Sequence, residues 1–292
     1  MEITQAHRAL LSRLLPGVEP DDLSVRHGQF HQVVIGADRV VCLPRTAAAA
    51  ARLPHRAAVL RLLAGLGLGF ATPRPLAEGG GHGSDEPPFL LLSRVPGAPL
   101  AAAALDDPQV AEAAAAQYVT LLTGLARIGA GAGGAGKKVR AALPAPQEDR
   151  WRRFAADVRS ELFGLMSGKG RQRAEQELAA LDRLPHVAHA LVHGDLGAEN
   201  VLWECHDGLP VLTAVIDWDE VTIGDPAEDL AAVHASYGAR FLHRVLALGG
   251  WSDSTMTTRI ATIRATFALQ QALSAQRDGD DTQLADGLTG YR

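Results

Sequence analysis

The sequence contains few cysteines, few lysines and no long hydrophobic run, and each scarcity excludes a class of site or protein. Its two cysteines, Cys42 and Cys205, are far apart and have no metal-ligand spacing, so we expect neither a disulfide framework nor a structural zinc site. No apolar stretch approaches the roughly 20 residues of a membrane-spanning helix. The only lysines are Lys137, Lys138 and Lys169, so no lysine-based site is expected in the first 136 residues.

The N-terminal segment also lacks the unbroken apolar core of a secretory signal peptide. Glu2, His7, Arg8 and Arg13 interrupt its leucines, and this spacing predicts an amphipathic helix. Because the two cysteines suit a reducing compartment, we expect a cytoplasmic protein.

Negative charge is concentrated in the last third of the chain. The net charge is −5, but residues 193–292 carry 15 acidic residues against 6 arginines and no lysine, a balance of −9, which leaves +4 for residues 1–192. This distribution argues against a nucleic acid as partner and favours a cationic small molecule, which an acidic cleft would attract. A solvated acidic surface without a ligand explains the same charges equally well.

The first part of the chain has the pattern of a small antiparallel sheet with a helix. Two β-rich runs, 33–35 and 40–43, flank a four-residue hairpin loop. A helical region follows over residues 45–63 and stops at glycines. The continuous apolar run 89–92 then predicts a strand that is buried on both faces.

Proline and glycine after that run mark a hinge, and the rest of the chain has mainly helical patterns. Asp107 and Pro108 match the cap and first turn of a long helix, and the glycine-rich stretch 129–136 predicts a mobile loop. Further helices are expected near residues 151–165, 171–184, 227–238 and 258–275. We therefore expect an α+β protein with a small N-terminal lobe, residues 1–95, and a larger, mainly helical C-terminal lobe, residues 96–292.

Three polar residues in the last third carry the strongest functional signal. Asp195 and Asn200 are separated by four residues, the spacing of the protein-kinase catalytic loop, with Gly194 where kinases have arginine. Asp217 follows the apolar run 211–216, and we expect all three on neighbouring strands of a hairpin. Asp195 can accept the proton of a substrate hydroxyl, while oxygens of Asn200 and Asp217 can hold a magnesium ion.

Each of these residues also has a structural interpretation. An aspartate after a glycine is common in turns, and an asparagine often caps a loop, so neither alone indicates a site. Their joint occurrence with Asp217 favours phosphoryl transfer, because three independent turns rarely reproduce this spacing. We expect His193 to orient the catalytic loop through a ring hydrogen bond, and Asp225 to cap a helix.

Three motifs resemble the signature of the aminoglycoside and macrolide phosphotransferase family: His193-Gly-Asp-x-x-x-x-Asn200, Ile216-Asp-Trp218 and Gly224-Asp-Pro226. The resemblance implies a bilobed protein kinase-like fold whose N-terminal lobe binds ATP, with Mg²⁺ as the metal. It also implies that Asp195 is catalytic and that Asn200 and Asp217 are metal ligands.

Longer segments, spread over nearly the whole chain, are similar to the viomycin and capreomycin phosphotransferases, a narrower group within that family. His27-Gly-Gln-Phe-His31 is one of them. The similarity implies an antibiotic-inactivating kinase that phosphorylates a serine hydroxyl of a cationic cyclic peptide. The acidic last third of the chain agrees with that implication without establishing it.

The first lobe departs from the kinase pattern in the residues that bind the nucleotide phosphates. Kinase-like enzymes hold the nucleotide phosphates with a lysine on the third strand, paired with a helix glutamate. The family pattern places Cys42 at the lysine position and Arg56 near that of the glutamate. We expect Arg45 or Arg56 to replace the lysine, and His27 and Gly28 to help cover the phosphates. The alternative is that both arginines lie on the surface and bind no phosphate, with their side chains only covering apolar carbons of the helix.

The remaining ligand contacts are expected from the resemblance and the charge pattern. Adenine should lie against backbone groups near Ser93 and Val95, and the acceptor against carboxylates of the second lobe. The candidate carboxylates are Asp157, Glu161, Asp219, Asp229, Asp278 and Asp280.

Two alternatives stay open on the sequence. A kinase of the same fold can act on another hydroxylated compound, such as an aminoglycoside, a macrolide or a cellular metabolite. The second alternative is a catalytically silent kinase-like binding module, which the missing lysine suggests. Nucleotide consumption with a panel of hydroxylated cationic compounds separates them.

Overall fold

A computed structural model describes residues 5–17, 24–28, 31–81, 84–131, 133–143 and 147–292. The chain divides into two compact units: unit 1 is Met1–Ala101 with Glu199–Asp219, and unit 2 is Ala102–Ala198 with Glu220–Arg292. The sequence-based division at residue 95 assigns the segment Glu199–Asp219 to the C-terminal lobe. In the structure, that segment pairs with Ala98–Pro99 within unit 1.

The described residues contain ten strands and ten α-helices. The strands are β1 (Ser24–His27), β2 (His31–Ile35), β3 (Arg39–Pro44), β4 (Pro75–Gly79), β5 (Phe89–Ser93), β6 (Ala98–Pro99), β7 (Ala190–Val192), β8 (Val201–His206), β9 (Leu209–Val215) and β10 (Thr222–Gly224). The helices are α1 (Gln5–Leu14), α2 (Ala47–Ala64), α3 (Pro108–Ala130), α4 (Gly134–Ala142), α5 (Arg150–Glu161), α6 (Gly168–Asp182), α7 (Ala227–Gly249), α8 (Ser254–Ala265), α9 (Phe267–Asp278) and α10 (Asp281–Gly287).

Five antiparallel strands form the main sheet of unit 1, in the order β1-β2-β3-β5-β4. The predicted hairpin is confirmed, with Ile35 of β2 opposite Val40 of β3. Strand β5 lies between β3 and β4, and Phe89, Leu90, Leu91 and Leu92 are all buried. This central position explains why the strand has a continuous apolar run instead of an alternating pattern.

Helix α1 packs on this sheet through its leucines. Leu10, Leu11 and Leu14 form one apolar cluster with Val34 of β2 and Val41 of β3. The predicted amphipathic helix is therefore confirmed, since burial of these leucines drives its docking.

Helix α2 lies in the predicted helical region, but it begins at Ala47, two residues after the predicted start. The side chain of Thr46 accepts a hydrogen bond from the Ala49 N–H at 3.1 Å, which caps the first turn. The helix ends before Gly65, whose N–H donates to the carbonyl of Leu62.

A second sheet in unit 1, of order β6-β8-β9, holds the hairpin β8–β9 that ends near Asp217.

Helix α3 of unit 2 starts at the predicted cap, where Asp107 accepts a hydrogen bond from the Gln109 N–H at 2.7 Å. At its other end, a Cβ on Gly129 would lie 2.1 Å from the backbone nitrogen of Leu191. This glycine is needed because the helix backbone packs directly against β7. The prediction of a mobile loop over residues 129–136 is wrong at both ends, because α3 includes Gly129 and α4 begins at Gly134.

Strand β7 pairs with β10, and Leu191 lies opposite Ile223. The expectation that Asp195, Asn200 and Asp217 lie on neighbouring strands of one hairpin is therefore wrong for Asp195, which follows β7. The two strands have only three residues each and lie about 30 positions apart, so no local pattern indicates their pairing.

Unit 2 has its own apolar core, formed by helices α5, α6, α9 and the C-terminal residues. Val158, Leu162, Leu178, Leu269 and Tyr291 are among its buried members. Within the described residues, none of the helices is both long enough and apolar enough to cross a membrane.

Candidate active site

The loop that follows β7 presents Asp195. Gly194 has a φ of 89°, and a Cβ at this position would lie 2.7 Å from the carbonyl oxygen of Glu220, so the turn requires glycine. His193 is completely buried, and its Nδ1 accepts a hydrogen bond from the Asp195 N–H at 3.2 Å. This bond agrees with the predicted orienting role of His193. Asp195 itself is exposed.

Asp229 fixes the same loop from helix α7. Its two carboxylate oxygens accept hydrogen bonds from the N–H groups of His193 and Gly194, each at 3.0 Å. Burial raises the pKa of Asp229 to about 7, and the two N–H donors oppose this rise because they stabilise the charged form. Since Asp229 is only 1% exposed, its oxygens are better placed to hold the loop than to bind an acceptor.

A second bond connects the loop to α7. The Ala198 N–H donates to the Ser236 hydroxyl at 2.9 Å. Asp225, just before α7, accepts a hydrogen bond from the Ala227 N–H and forms a buried ion pair with Arg259. The predicted capping role of Asp225 is confirmed.

Asn200 and Asp217 lie next to each other in unit 1, at the open end of the β8–β9 hairpin. The Ile216 N–H donates to the Asn200 carbonyl at 2.9 Å. Asp217 has a φ of 61°, in the left-handed region, and its side chain is half exposed. The adjacent Trp218 is buried, and its indole N–H donates to the Val215 carbonyl at 2.9 Å, which anchors the turn.

These two side chains fit magnesium by their chemistry. Magnesium takes one or two oxygen ligands from a protein and completes its shell with phosphate oxygens and water. An amide oxygen from Asn200 and a carboxylate from Asp217 match that requirement. Among the described residues, no group of three or more His, Cys, Asp or Glu side chains can hold a metal ion.

Arg56 of α2 lies beside Asp217. Its Nη2 lies 3.8 Å from Oδ1 of Asp217, and its Nε lies 2.8 Å from Oδ1 of Asp219. Its Nη1 is 3.0 Å from Nδ1 of His31. Arg56 is mostly buried and Asp219 is 22% exposed, so each of the two charges stabilises the other within unit 1. The sequence suggested Arg56 but not its two partners.

The buried His31 predicts a dependence of stability on pH. Burial first, and the charge of Arg56 second, lower the pKa of His31 from 6.5 to about 4. Between pH 4 and 6.5 the unfolded chain therefore binds a proton that the folded chain does not, and stability rises with pH across this window. The contribution lost on acidification amounts to about 3 kcal/mol.

This expectation is checked by urea unfolding of the wild type and His31→Asn across that pH window. The wild type should lose more stability than the variant as the pH falls. Parallel curves for the two proteins would contradict a neutral, buried His31.

The other expected nucleotide-binding residues lie along the main sheet. Arg45 is exposed, and its guanidinium donates to the carbonyl of Gly28 at 3.0 Å. His27 ends β1, but its side chain lies outside the described part of the structure. Ser93 ends β5, and its hydroxyl accepts from the Arg74 N–H at 2.9 Å; Val95 is half-buried just beyond it.

The expected acceptor carboxylates have different partners in the structure. Asp157 and Glu161 of α5 both pair with Arg277, the former at 2.7 Å and the latter at 2.5 Å. Asp278 is exposed at the end of α9, and Asp280 caps α10 by accepting from the Gln283 N–H. Asp219 is instead the partner of Arg56.

Known structures share this fold. An aminoglycoside phosphotransferase solved with GDP and kanamycin superposes with a TM-score of 0.81 at 19% identity, covering 98% of this chain and 97% of that one. A type I macrolide 2′-phosphotransferase superposes with a TM-score of 0.72 at 22% identity, covering 100% and 98%. The predicted α+β, kinase-like fold is confirmed.

The family is shown by sequence. The phosphotransferase enzyme family matches residues 11–259, and the chain belongs to this family. Viomycin phosphotransferase from Streptomyces vinaceus is 64% identical over 292 residues, which is the full length of both chains. The family and the narrower resemblance predicted from the sequence are confirmed.

Proposed function

We propose that this protein inactivates a cationic cyclic peptide antibiotic, viomycin or its relative capreomycin, by transferring the γ-phosphate of ATP to a serine-type hydroxyl. The observation that carries the proposal is the 64% identity with viomycin phosphotransferase over the full length of both chains. Structures of similar fold contain GDP in one case and ATP in another, which supports a nucleotide as phosphate donor.

Asp195 is the proposed catalytic residue, which accepts the proton of the attacking hydroxyl. Asp195 is exposed, and its backbone N–H donates to the ring of His193. Asp229 also accepts hydrogen bonds from the N–H groups of the two residues before Asp195. Because the loop is already ordered, holding the base in position costs little further conformational entropy.

Asn200 and Asp217 are the proposed ligands of Mg²⁺. When bound, the ion neutralises charge on the phosphates of the nucleotide. The backbone bond between Asn200 and Ile216 keeps the two ligands adjacent, and the buried Trp218 anchors the turn from which Asp217 extends. Ser93 and Val95 are the proposed neighbours of the adenine.

For the acceptor, we propose contacts from exposed carboxylates of unit 2. The candidates are Asp157, Glu161, Asp278 and Asp280, of which Asp157 and Glu161 pair with Arg277. An acceptor cation would have to compete with that arginine. We also propose a cytoplasmic location, which suits the two free cysteines and gives access to ATP.

Mass spectrometry tests the proposed activity. The protein is incubated with ATP and Mg²⁺ and, in separate reactions, with viomycin, capreomycin, kanamycin and a macrolide. We expect one added phosphate on viomycin or capreomycin, located on a serine-derived hydroxyl by fragmentation. Phosphorylation of kanamycin or the macrolide alone would contradict the acceptor, and no nucleotide consumption with any of them would favour a binding module.

A further inference from the structure

Unit 1 must bind nucleotide phosphates without a lysine. The first lysine in the chain is Lys137, far beyond the main sheet. The family pattern places Cys42 of β3 at the usual lysine position, and this side chain is buried. Burial raises the pKa of the Cys42 thiol, so it is uncharged near neutral pH. The positive charge must come from another element.

Arg56 supplies a positive charge close to a proposed metal ligand. Its guanidinium lies 2.8 Å from Asp219 but 3.8 Å from Asp217. The longer distance exceeds that of a hydrogen bond, so the Nη2 group retains capacity to bond an oxygen placed beside Asp217. A guanidinium presents donors in a planar fork that matches phosphate oxygens.

His31 constrains the orientation of that guanidinium. A guanidinium can only donate, so Nδ1 of His31, 3.0 Å from Nη1, must be the acceptor. The ring is therefore neutral and carries its proton on Nε2. His31 is 7% exposed, and its position on β2 is fixed by pairing with Pro44 of β3.

We propose that Arg56 is the phosphate-binding cation of this enzyme, and that His31 and Asp219 are positioning residues that hold its guanidinium beside Asp217. The arrangement differs from the usual one: the cation lies on the helix, and its carboxylate partner lies two residues after a proposed metal ligand. The inference rests on the proposed function only in taking a nucleotide as ligand, and it is independent of the acceptor.

Calorimetry with ATP, ADP and adenosine tests the contact directly, without an acceptor. Arg56→Ala should weaken binding of ATP and ADP by about 10- to 100-fold and leave adenosine binding unchanged, because only the phosphates are contacted. Arg56→Gln keeps a donor for Asp219 but not the charge. If Arg56→Ala does not fold, Arg56→Gln should show the same loss of ATP and ADP affinity. Arg61→Ala, on the exposed face of the same helix, is the matched control.

The role of His31 is tested by two substitutions. His31→Leu removes the acceptor, whereas the side-chain oxygen of His31→Asn can replace Nδ1. We expect His31→Leu to raise the KM for ATP with a smaller change in kcat, and His31→Asn to restore most of the affinity. Equal KM values in the two variants would refute a positioning role.

Two results would overturn the role of Arg56. One is a folded Arg56 variant that binds ATP as the wild type does, and the other is an equal loss of ATP and adenosine affinity. Loss of ATP binding in Arg45→Ala but not in Arg56→Ala would assign the contact to Arg45 instead. If the wild type binds ATP but phosphorylates no antibiotic, the proposed function fails while this inference stands.

Discussion

Replacing Asp195 with asparagine is expected to lower kcat by about 10²- to 10⁴-fold, with little change in the affinity for ATP. Asparagine has nearly the same shape as aspartate, but its amide cannot accept the proton of the attacking hydroxyl. The backbone N–H of residue 195 can still donate to His193, so the loop should keep its conformation. Initial rates of ADP formation with viomycin, together with calorimetric titration of ATP, measure the two quantities.

A control in the same loop separates chemistry from charge. Glu199 is also an exposed acid, four residues further along the chain, and Glu199→Gln removes the same charge. We expect its kcat to stay near that of the wild type. Full activity in Asp195→Asn, or an equal loss in both variants, would remove Asp195 from the role of catalytic base.

Much of unit 1 could be predicted because its signals are local. The hairpin of β2 and β3 and the apolar run of β5 each depend on one short, continuous segment of the chain. Turn chemistry, capping and hydrophobic periodicity act over such distances. The spacing of Asp195 and Asn200 belongs to the same kind of signal.

The contacts that could not be predicted join residues far apart in sequence. Strand β7 pairs with β10, and His31 bonds Arg56 across 25 positions. The glycine-rich end of α3 has the composition of a loop, yet Gly129 is there because the helix lies against Leu191. In each case tertiary packing, which composition does not reveal, decides the local structure.

Asp219 and Asp229 show the same limit for the site. From the sequence, both are acidic residues of an acidic segment, and charge alone suggests a cationic acceptor. In the structure, Asp219 pairs with Arg56 and Asp229 bonds two backbone N–H groups. Each acid therefore has an internal partner, so net charge alone does not identify the carboxylates that bind a ligand.

Replacing Asp229 with alanine is expected to destabilise the protein by about 2 to 5 kcal/mol, because two buried N–H groups would lose their acceptor. The same change should lower kcat, since the loop of His193 and Gly194 would no longer be fixed beneath Asp195. Asp229→Asn keeps one acceptor oxygen but turns an amide N–H₂ toward the other donor, so it should fall between the wild type and Asp229→Ala in both properties.

Urea unfolding and initial rates measure the two effects, with Asp281→Ala as the control. Asp281 also lies in the first turn of a helix, but it is exposed, and we expect a change below about 0.5 kcal/mol. Stability and kcat should fall together only for Asp229, because one carboxylate supports both the fold of unit 2 and the conformation of the loop. A stable Asp229→Ala with the wild-type kcat would show that His193 and Ser236 hold the loop without it.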